Sequence, residues 1–253
     1  MARANKTIVV VAIIMAIVVL AVALTIYYMK INNENFDQQN CKIAITTSED
    51  RDYDYIAMHD KNFQEYCNKH GYDYVRMHNE VINNQRVPVY WYKIQLVDKL
   101  LNSGKYCYVM WADSDSLVMN PEFKIEDIVS SGKDIYIGTD YGFPTYNAGL
   151  FIIKNSETGR KFVKELLLKL NDKSCFSEDY TKIVGAWAGP CYEQGHMNKV
   201  IKERYRDNAE IISQKLFHNT PTIYIQGPFI IHVYAQLSEY LLPMIYGSLK
   251  KQQ

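Results

Sequence analysis

Hydrophobic and polar positions divide the chain into three parts. Residues 7–29 read TIVVVAIIMAIVVLAVALTIYYM, without a charged side chain. A helix needs about 20 apolar residues to cross a bilayer core, whereas the core of a cleaved signal peptide has roughly 7–15. The run therefore predicts a retained transmembrane helix, with Tyr27-Tyr28 at the interface. Residues 30–40 are polar and predict a stem. From residue 41 to 253 short apolar runs alternate with helical periodicity, over a length that suits one domain.

Within that domain, residues 42–47, 72–77, 106–111, 134–138, 150–153, 222–225 and 229–233 read as strands. Residues 53–70, 91–101, 157–170 and 193–202 read as helices. In the second of these helices Ile94, Val97, Leu100 and Leu101 share a face. Phe162, Val163, Leu166, Leu167 and Leu170 do so in the third. Gly71 and Gly104 stand where helices would end. Strands alternating with helices predict an α/β sheet with a parallel portion.

The flanks of the apolar run orient it. Arg3 and Lys6 precede it, and Lys30 follows with Glu34 and Asp37 close behind. Lys and Arg set topology, so residues 1–6 are expected to be a cytosolic tail. The domain is then expected in a secretory lumen or outside the cell. Twenty-eight basic and 28 acidic residues cancel, and no basic patch points to nucleic acid. Of five cysteines, Cys107 reads as a small buried hydrophobe, while Cys175 and Cys191 flank a loop-like region and could pair in an oxidising lumen. No cysteine or histidine spacing suggests zinc. The Asn5-Lys6-Thr7 sequon precedes the anchor. Oligomeric state has no signature.

The chemistry begins at YVMWADSDSLVMNP, residues 108–121. An apolar strand breaks into Asp113 and Asp115, at the carboxyl end where open α/β sheets bind ligands. Two carboxylates at this spacing repel unless a cation relieves them, and their oxygens suit Mg²⁺, Ca²⁺ or Mn²⁺. A metal that in turn holds phosphates is one reading; a solvated turn with an Asp cap is the other. An EF-hand is excluded, because Val118 and Lys124 occupy its Gly and Glu positions.

These residues resemble the aspartate motif of GT-A glycosyltransferases, where a strand leads into [WL]-x-D-x-D. Residues 146–167, YNAGLFIIKNSETGRKFVKELL, resemble the asparagine-containing segment of those enzymes. Residues 192–201, YEQGHMNKVI, resemble their acidic-Gln segment. Residues 229–236, FIIHVYAQ, resemble the late strand that carries a metal-binding His, and residues 90–101, YWYKIQLVDKLL, the W-x-K-I helix. The likeness is greatest to the retaining α-galactosyl, α-xylosyl and α-mannosyl transferases of the Golgi. It departs after His232, where Val233-Tyr234-Ala235-Gln236 replaces the family's usual Gly.

The resemblance implies an α/β GT-A fold, a Rossmann-like nucleotide-diphospho-sugar transferase with a mixed central sheet. It implies a type II membrane protein of the Golgi or another secretory membrane. A hexose or pentose would pass from a nucleotide sugar, UDP-linked rather than GDP-linked, to a glycan or glycoprotein acceptor, with retention. Asp115 and His232 would bind Mn²⁺, with Mg²⁺ as the alternative, and Asp113 would contact the metal's water or the ribose. Thr46 and Thr47 would cradle the nucleotide through backbone groups, and Lys93 would reach the diphosphate. Asn147 would hydrogen-bond a sugar hydroxyl, while Glu193 and Gln194 would line the reacting face.

Blander readings stand beside these: a solvated lysine, a turn asparagine before Gly149, an acidic helix start, and a histidine in a buried strand. Inversion would need a carboxylate base, for which Glu193, Asp179 and Glu178 are available. Tyr and Trp suit sugar rings, so the loops at residues 141–144 and 187–190 are acceptor-side candidates, although most of the 21 tyrosines are expected to fill the core. A sugar-nucleotide hydrolase and an inactive glycan-binding module on the same fold are the alternatives. A nucleotidyltransferase would place a Gly-rich basic stretch where residues 46–50 read TTSED.

Overall fold

The computed structural model describes residues 42–49, 51–77, 87–140, 145–219, 227–234 and 237–251, with positions 15, 17–20, 22 and 24. Those N-terminal positions are helical, each more than half exposed, and belong to a unit separate from residues 42–253. Among the described residues no helix is long and apolar enough to cross a membrane. The expected tail and stem, most of the expected anchor, the strand at 222–225 and the loop at 141–144 lie outside the described residues.

The elements of the second unit run β1 (Lys42–Ser48), α1 (Asp54–His70), β2 (Asp73–Met77), α2 (Val89–Asn102), β3 (Tyr106–Ala112), β4 (Ser116–Val118) and α3 (Ile125–Ile128). After these come β5 (Ile135–Thr139), β6 (Tyr146–Lys154), α4 (Glu157–Leu168), α5 (Glu193–Val200), β7 (Ala209–Ile211), β8 (Phe217–Asn219), β9 (Ile230–His232) and α6 (Ser238–Lys250). Six strands form one sheet in the order β2-β1-β3-β6-β5-β7, and three form a second in the order β4-β9-β8. The first sheet is mixed: β1 is parallel to β2 and β3, whereas β6 is antiparallel to β3 and β5.

Strand alternation sorts the core into two faces. Ala44, Val109, Trp111, Phe151 and Ile153 point to one, where α2, α4 and α5 contribute Trp91, Phe162 and Met197. Ile43, Ile45, Met110, Leu150 and Ile152 point to the other, covered by Phe63 and Tyr66 of α1 and Phe217 of β8. A sheet covered on both faces explains the unbroken apolar runs of its central strands. Gly71 ends α1 with φ of 74°, a left-handed conformation that costs glycine little.

Several expectations need correcting. The strand expected at 150–153 begins at Tyr146, so Asn147-Ala148-Gly149 is strand and not turn. The helix expected to reach residue 170 ends at Leu168 and tightens into a 3-10 turn, Lys169–Asn171. The helix from Glu193 ends at Val200 and continues as a π turn, Ile201–Tyr205. Cys107 is disulfide-bonded, not a buried thiol. Cys175 and Cys191 are joined, and Cys67 is buried and free.

Candidate active site

The aspartates sit where the chain leaves one sheet for the other. Asp113 N donates to Gly149 O at 2.8 Å, which extends the β3–β6 ladder; Val233 N donates to Asp115 O at 2.9 Å, beside the β4–β9 pair. Ser116 lies opposite His232 in that pair. The register places His232 Nε2 3.0 Å from Asp115 Oδ1 and 3.7 Å from Asp113 Oδ2. One ligand atom from each of the three residues lies within 4.8 Å of the others.

Two carboxylates and an imidazole form a donor set that fits a divalent cation. Burial alone would lower the His232 pKa, but the charges of Asp115 and Asp113 outweigh it and raise it.

Lys93 is placed differently from the expectation that it reaches a diphosphate. Its side chain is 8% exposed. Its ammonium donates to Asp113 Oδ1 at 2.9 Å and Ala148 O at 3.2 Å, and lies 3.3 Å from Glu193 Oε1. Those three acceptors match its three donors. Trp111 Nε1 also donates to Asp113 Oδ1, at 2.5 Å, which leaves Asp113 Oδ2 toward His232. Burial would lower the Lys93 pKa, yet Asp113 and Glu193 raise it. Glu193 is buried and its own pKa is raised by that burial, against the pull of Lys93.

Gln194 and Asn147 serve β6 from either side. Ala148 N donates to Gln194 Oε1 at 3.0 Å, Gly149 N to Asn147 Oδ1 at 2.7 Å, and Asn147 Nδ2 to Asp140 Oδ1 at 2.6 Å. Asn198 grips both backbone groups of Tyr146, at 2.8 and 2.7 Å. The two turns of α5 are thereby stitched, through Gln194 and Asn198, to the strand beside the aspartates. Gly149 belongs to the site for a steric reason: a Cβ there would strike the His232 ring, 2.5 Å from Nδ1, and lie 2.8 Å from Asn147 Oδ1.

Thr46 lies opposite Trp111 in the sheet, two residues before Asp113. Its hydroxyl donates to Val75 O at 2.7 Å. Thr47 Oγ1 is buried and has no hydrogen-bond partner among the described residues, so a polar atom is left for a ligand at the end of β1.

Beyond Thr47, sequence reasoning missed Glu49 and Arg51. Ser114, between the two aspartates, donates to Glu49 Oε2 at 2.7 Å. Arg51 Nε donates to Glu49 Oε1 at 2.8 Å and Nη2 to Oε2 at 2.6 Å, while the Arg51 side chain stays 55% exposed. The polar stretch TTSED flags this region, but nothing in it marks the bidentate pair. Burial would raise the Glu49 pKa, yet the bonds from Arg51 and Ser114 hold it at about 2, below the ordinary 4.5. A depressed carboxylate stabilises the fold above its unfolded pKa, and that contribution fades as pH falls from about 4.5 toward about 2. Thermal scans of wild type and Glu49→Gln should therefore differ most at neutral pH and converge in this acid window. A gap that stays constant would exclude the linkage.

The sequence profile of the galactosyl transferase GMA12/MNN10 family matches residues 35–135. That segment holds Lys93, Asp113 and Asp115, while Asn147, Gln194 and His232 lie beyond it. The chain is 25% identical over 111 residues to galactomannan galactosyltransferase 1 of Cyamopsis tetragonoloba, an alignment of 41% of this chain and 25% of that protein. It is 24% identical over 186 residues to putative glycosyltransferase 7 of Arabidopsis thaliana, 69% of this chain and 38% of that one. The chain thus spans well under half the length of these curated relatives. In fold it is similar to a glycosyltransferase involved in the glycosylation of the major capsid of PBCV-1. That match has a TM-score of 0.59 at 13% identity and covers 83% of this chain and 99% of the other. The α/β fold is therefore one that this glycosyltransferase also has, and parts of the chain are similar in sequence to the galactosyl transferase GMA12/MNN10 family and to two proteins named as glycosyltransferases.

Proposed function

We propose that the chain is a membrane-anchored, divalent-metal-dependent glycosyltransferase. It moves a hexose or pentose from a nucleotide sugar, UDP-linked in preference to GDP-linked, to a glycan or glycoprotein acceptor with retention. Residues 1–6 are the cytosolic tail, 7–29 the anchor, 30–40 the stem and 41–253 the catalytic domain, lumenal in the Golgi or another secretory membrane. The convergence of Asp113, Asp115 and His232 at the end of β3 carries the reading.

Asp115 and His232 hold the cation, Mn²⁺ or else Mg²⁺, and Asp113 presents Oδ2 to it or to its water. When bound, the cation supplies Lewis-acid stabilisation of the charge that develops on a departing diphosphate. Lys93 holds the Asp113 and Glu193 carboxylates in place through its two ion pairs. Arg51, half-exposed and paired with the Glu49 that accepts from Ser114, suits a phosphate oxygen, the task expected of Lys93. Thr47 lends its hydroxyl to the nucleoside. Glu193 and Gln194 begin α5 at the reacting face, and Asn147 shapes β6 there and turns its remaining amide capacity to a sugar hydroxyl.

The test is thermal unfolding of the full chain in detergent, with UDP or GDP, each with and without Mn²⁺. Ligand at about 100 times its Kd stabilises a fold by roughly 2.7 kcal/mol. A shift of that order is expected with UDP and Mn²⁺ together and should vanish in Asp115→Ala. No shift with either nucleotide, in a folded protein, would replace the enzyme by a binding module.

A further inference from the structure

Beside the proposed donor site stands an aromatic cluster to which that reading gives no task. Tyr90, Trp187 and Tyr192 meet at ring-centroid distances of 4.7 Å (Tyr90–Trp187), 5.2 Å (Trp187–Tyr192) and 5.4 Å (Tyr90–Tyr192). The two contacts to Trp187 are edge-on, at 72° and 64°, so Trp187 is not sandwiched face to face. It keeps 65% of its surface exposed.

The cluster stands on the two helix starts that build the site. Tyr90 lies one helical turn before Lys93 on α2, and Tyr192 immediately precedes Glu193 on α5. Lys93 Nζ and Glu193 Oε1 are 3.3 Å apart, so the two starts converge.

Trp187 is also held firmly. The Cys175–Cys191 disulfide closes its loop, and Trp91 Nε1 donates to Cys191 O at 3.1 Å. Gly189 N donates to Ala186 O at 3.0 Å, and Tyr192 N to Gly189 O at 2.9 Å. Ala188 adopts φ of 55°, a left-handed conformation that a non-glycine residue takes only at a cost. Gly195, next to Gln194, leaves no room for a Cβ against the carbonyls of Ala188 and Gly189. The loop is thus seated directly on the first turn of α5.

We propose that Trp187, Tyr90 and Tyr192 form the acceptor subsite of this enzyme, a platform on which a pyranose ring of the acceptor glycan stacks. The proposal rests on the glycosyl-transfer reading. A pyranose offers an apolar C–H face edged by hydroxyls. Trp and Tyr offer the complement, a flat apolar face with a polar edge. A scattered exposed aromatic needs no explanation, but Trp187 sits in a disulfide-closed loop, beside the left-handed Ala188, and packs on Tyr192, which directly precedes Glu193 and Gln194. Its rigidity lowers the ordering cost of binding. A protein partner or a lipid surface would not require the platform to abut those two residues.

The experiment uses the full chain with Trp187→Ala, Trp187→Phe and Leu168→Ala, an exposed apolar control on α4. Short gluco-, galacto- and manno-oligosaccharides are titrated calorimetrically in saturating UDP and Mn²⁺, and UDP affinity in Mn²⁺ is measured for every variant. Trp187→Ala should weaken saccharide binding about ten-fold, Trp187→Phe should recover most of that loss, and Leu168→Ala should match wild type. The proposal is overturned if Trp187→Ala binds saccharide like wild type, if it loses UDP in the same measure, or if no saccharide binds a chain that does bind UDP. Trp187-dependent binding to phosphatidylcholine vesicles in place of saccharide also overturns it. Failure to bind UDP, by contrast, brings down the donor reading and this proposal with it.

Discussion

Replacing Lys93 with methionine should lower the unfolding free energy by about 3–5 kcal/mol, the cost of leaving buried charge without its partner. The ammonium is the common partner of Asp113, at 2.9 Å, and Glu193, at 3.3 Å. The Glu193 side chain is 5% exposed, so water cannot substitute. Methionine conserves the apolar stem and removes only the charge and its donors. Denaturant unfolding of Lys93→Met, Glu193→Gln and the double variant measures the coupling, and the double variant should be more stable than the two single losses summed. The pH dependence has a definite sign. Burial raises the folded pKa of Glu193 above 4.5, so its contribution to stability declines as pH rises above that value. Lys93 opposes this by favouring the ionised form. Without it the deficit should be small near pH 4 and widen toward neutrality. A Lys93→Met chain within 1 kcal/mol of wild type, a value below the usual range for such losses, would mean that Asp113 and Glu193 are held by something else.

Gly149→Ala should abolish the Mn²⁺-dependent stabilisation by UDP and cost about 1–3 kcal/mol, as overpacking does. The added methyl would occupy space filled by the His232 ring and crowd Asn147 Oδ1. His232 is buried, so the ring has little room to retreat. The His232→Ala background separates packing from metal binding. There the clash with the ring is gone and only the contact with Asn147 Oδ1 remains, so most of the packing cost should disappear, while the Mn²⁺ effect stays lost. A Gly149→Ala chain that keeps the full Mn²⁺ effect would show that His232 is not a ligand.

How much of this was legible in the sequence depended on whether the signal was local. The aspartates stood out because a buried strand ended abruptly in charge, and their place at its carboxyl end followed from the strand alone. The helix from Glu157 announced itself through a five-residue apolar face, and Ser156 caps it by accepting from Gly159 N at 2.9 Å. Strands of three residues such as β4, β7 and β8 are too short for a period of two to register. Helix α6 carries Pro243 in its interior, a residue that argues against a helix, and no element was expected there. Lys93 read as a solvated or phosphate-facing lysine because its helical position does not reveal two buried carboxylates.

Chain order, hydropathy and turn chemistry were enough for the α/β alternation, the apolar N-terminal run, the acidic break after β3 and the Gly71 helix stop. All of these are set by interactions between near neighbours. The meeting of His232 with Asp115 comes from the register of β4 against β9, and the need for glycine at 149 from the ring that this register lays on β6. The Lys93 bridge comes from α2 and α5 converging over one strand end, and the Glu49–Arg51 pair from its docking on Ser114. Each of these depends on which buried surfaces pack together, and packing joins residues that no local pattern relates.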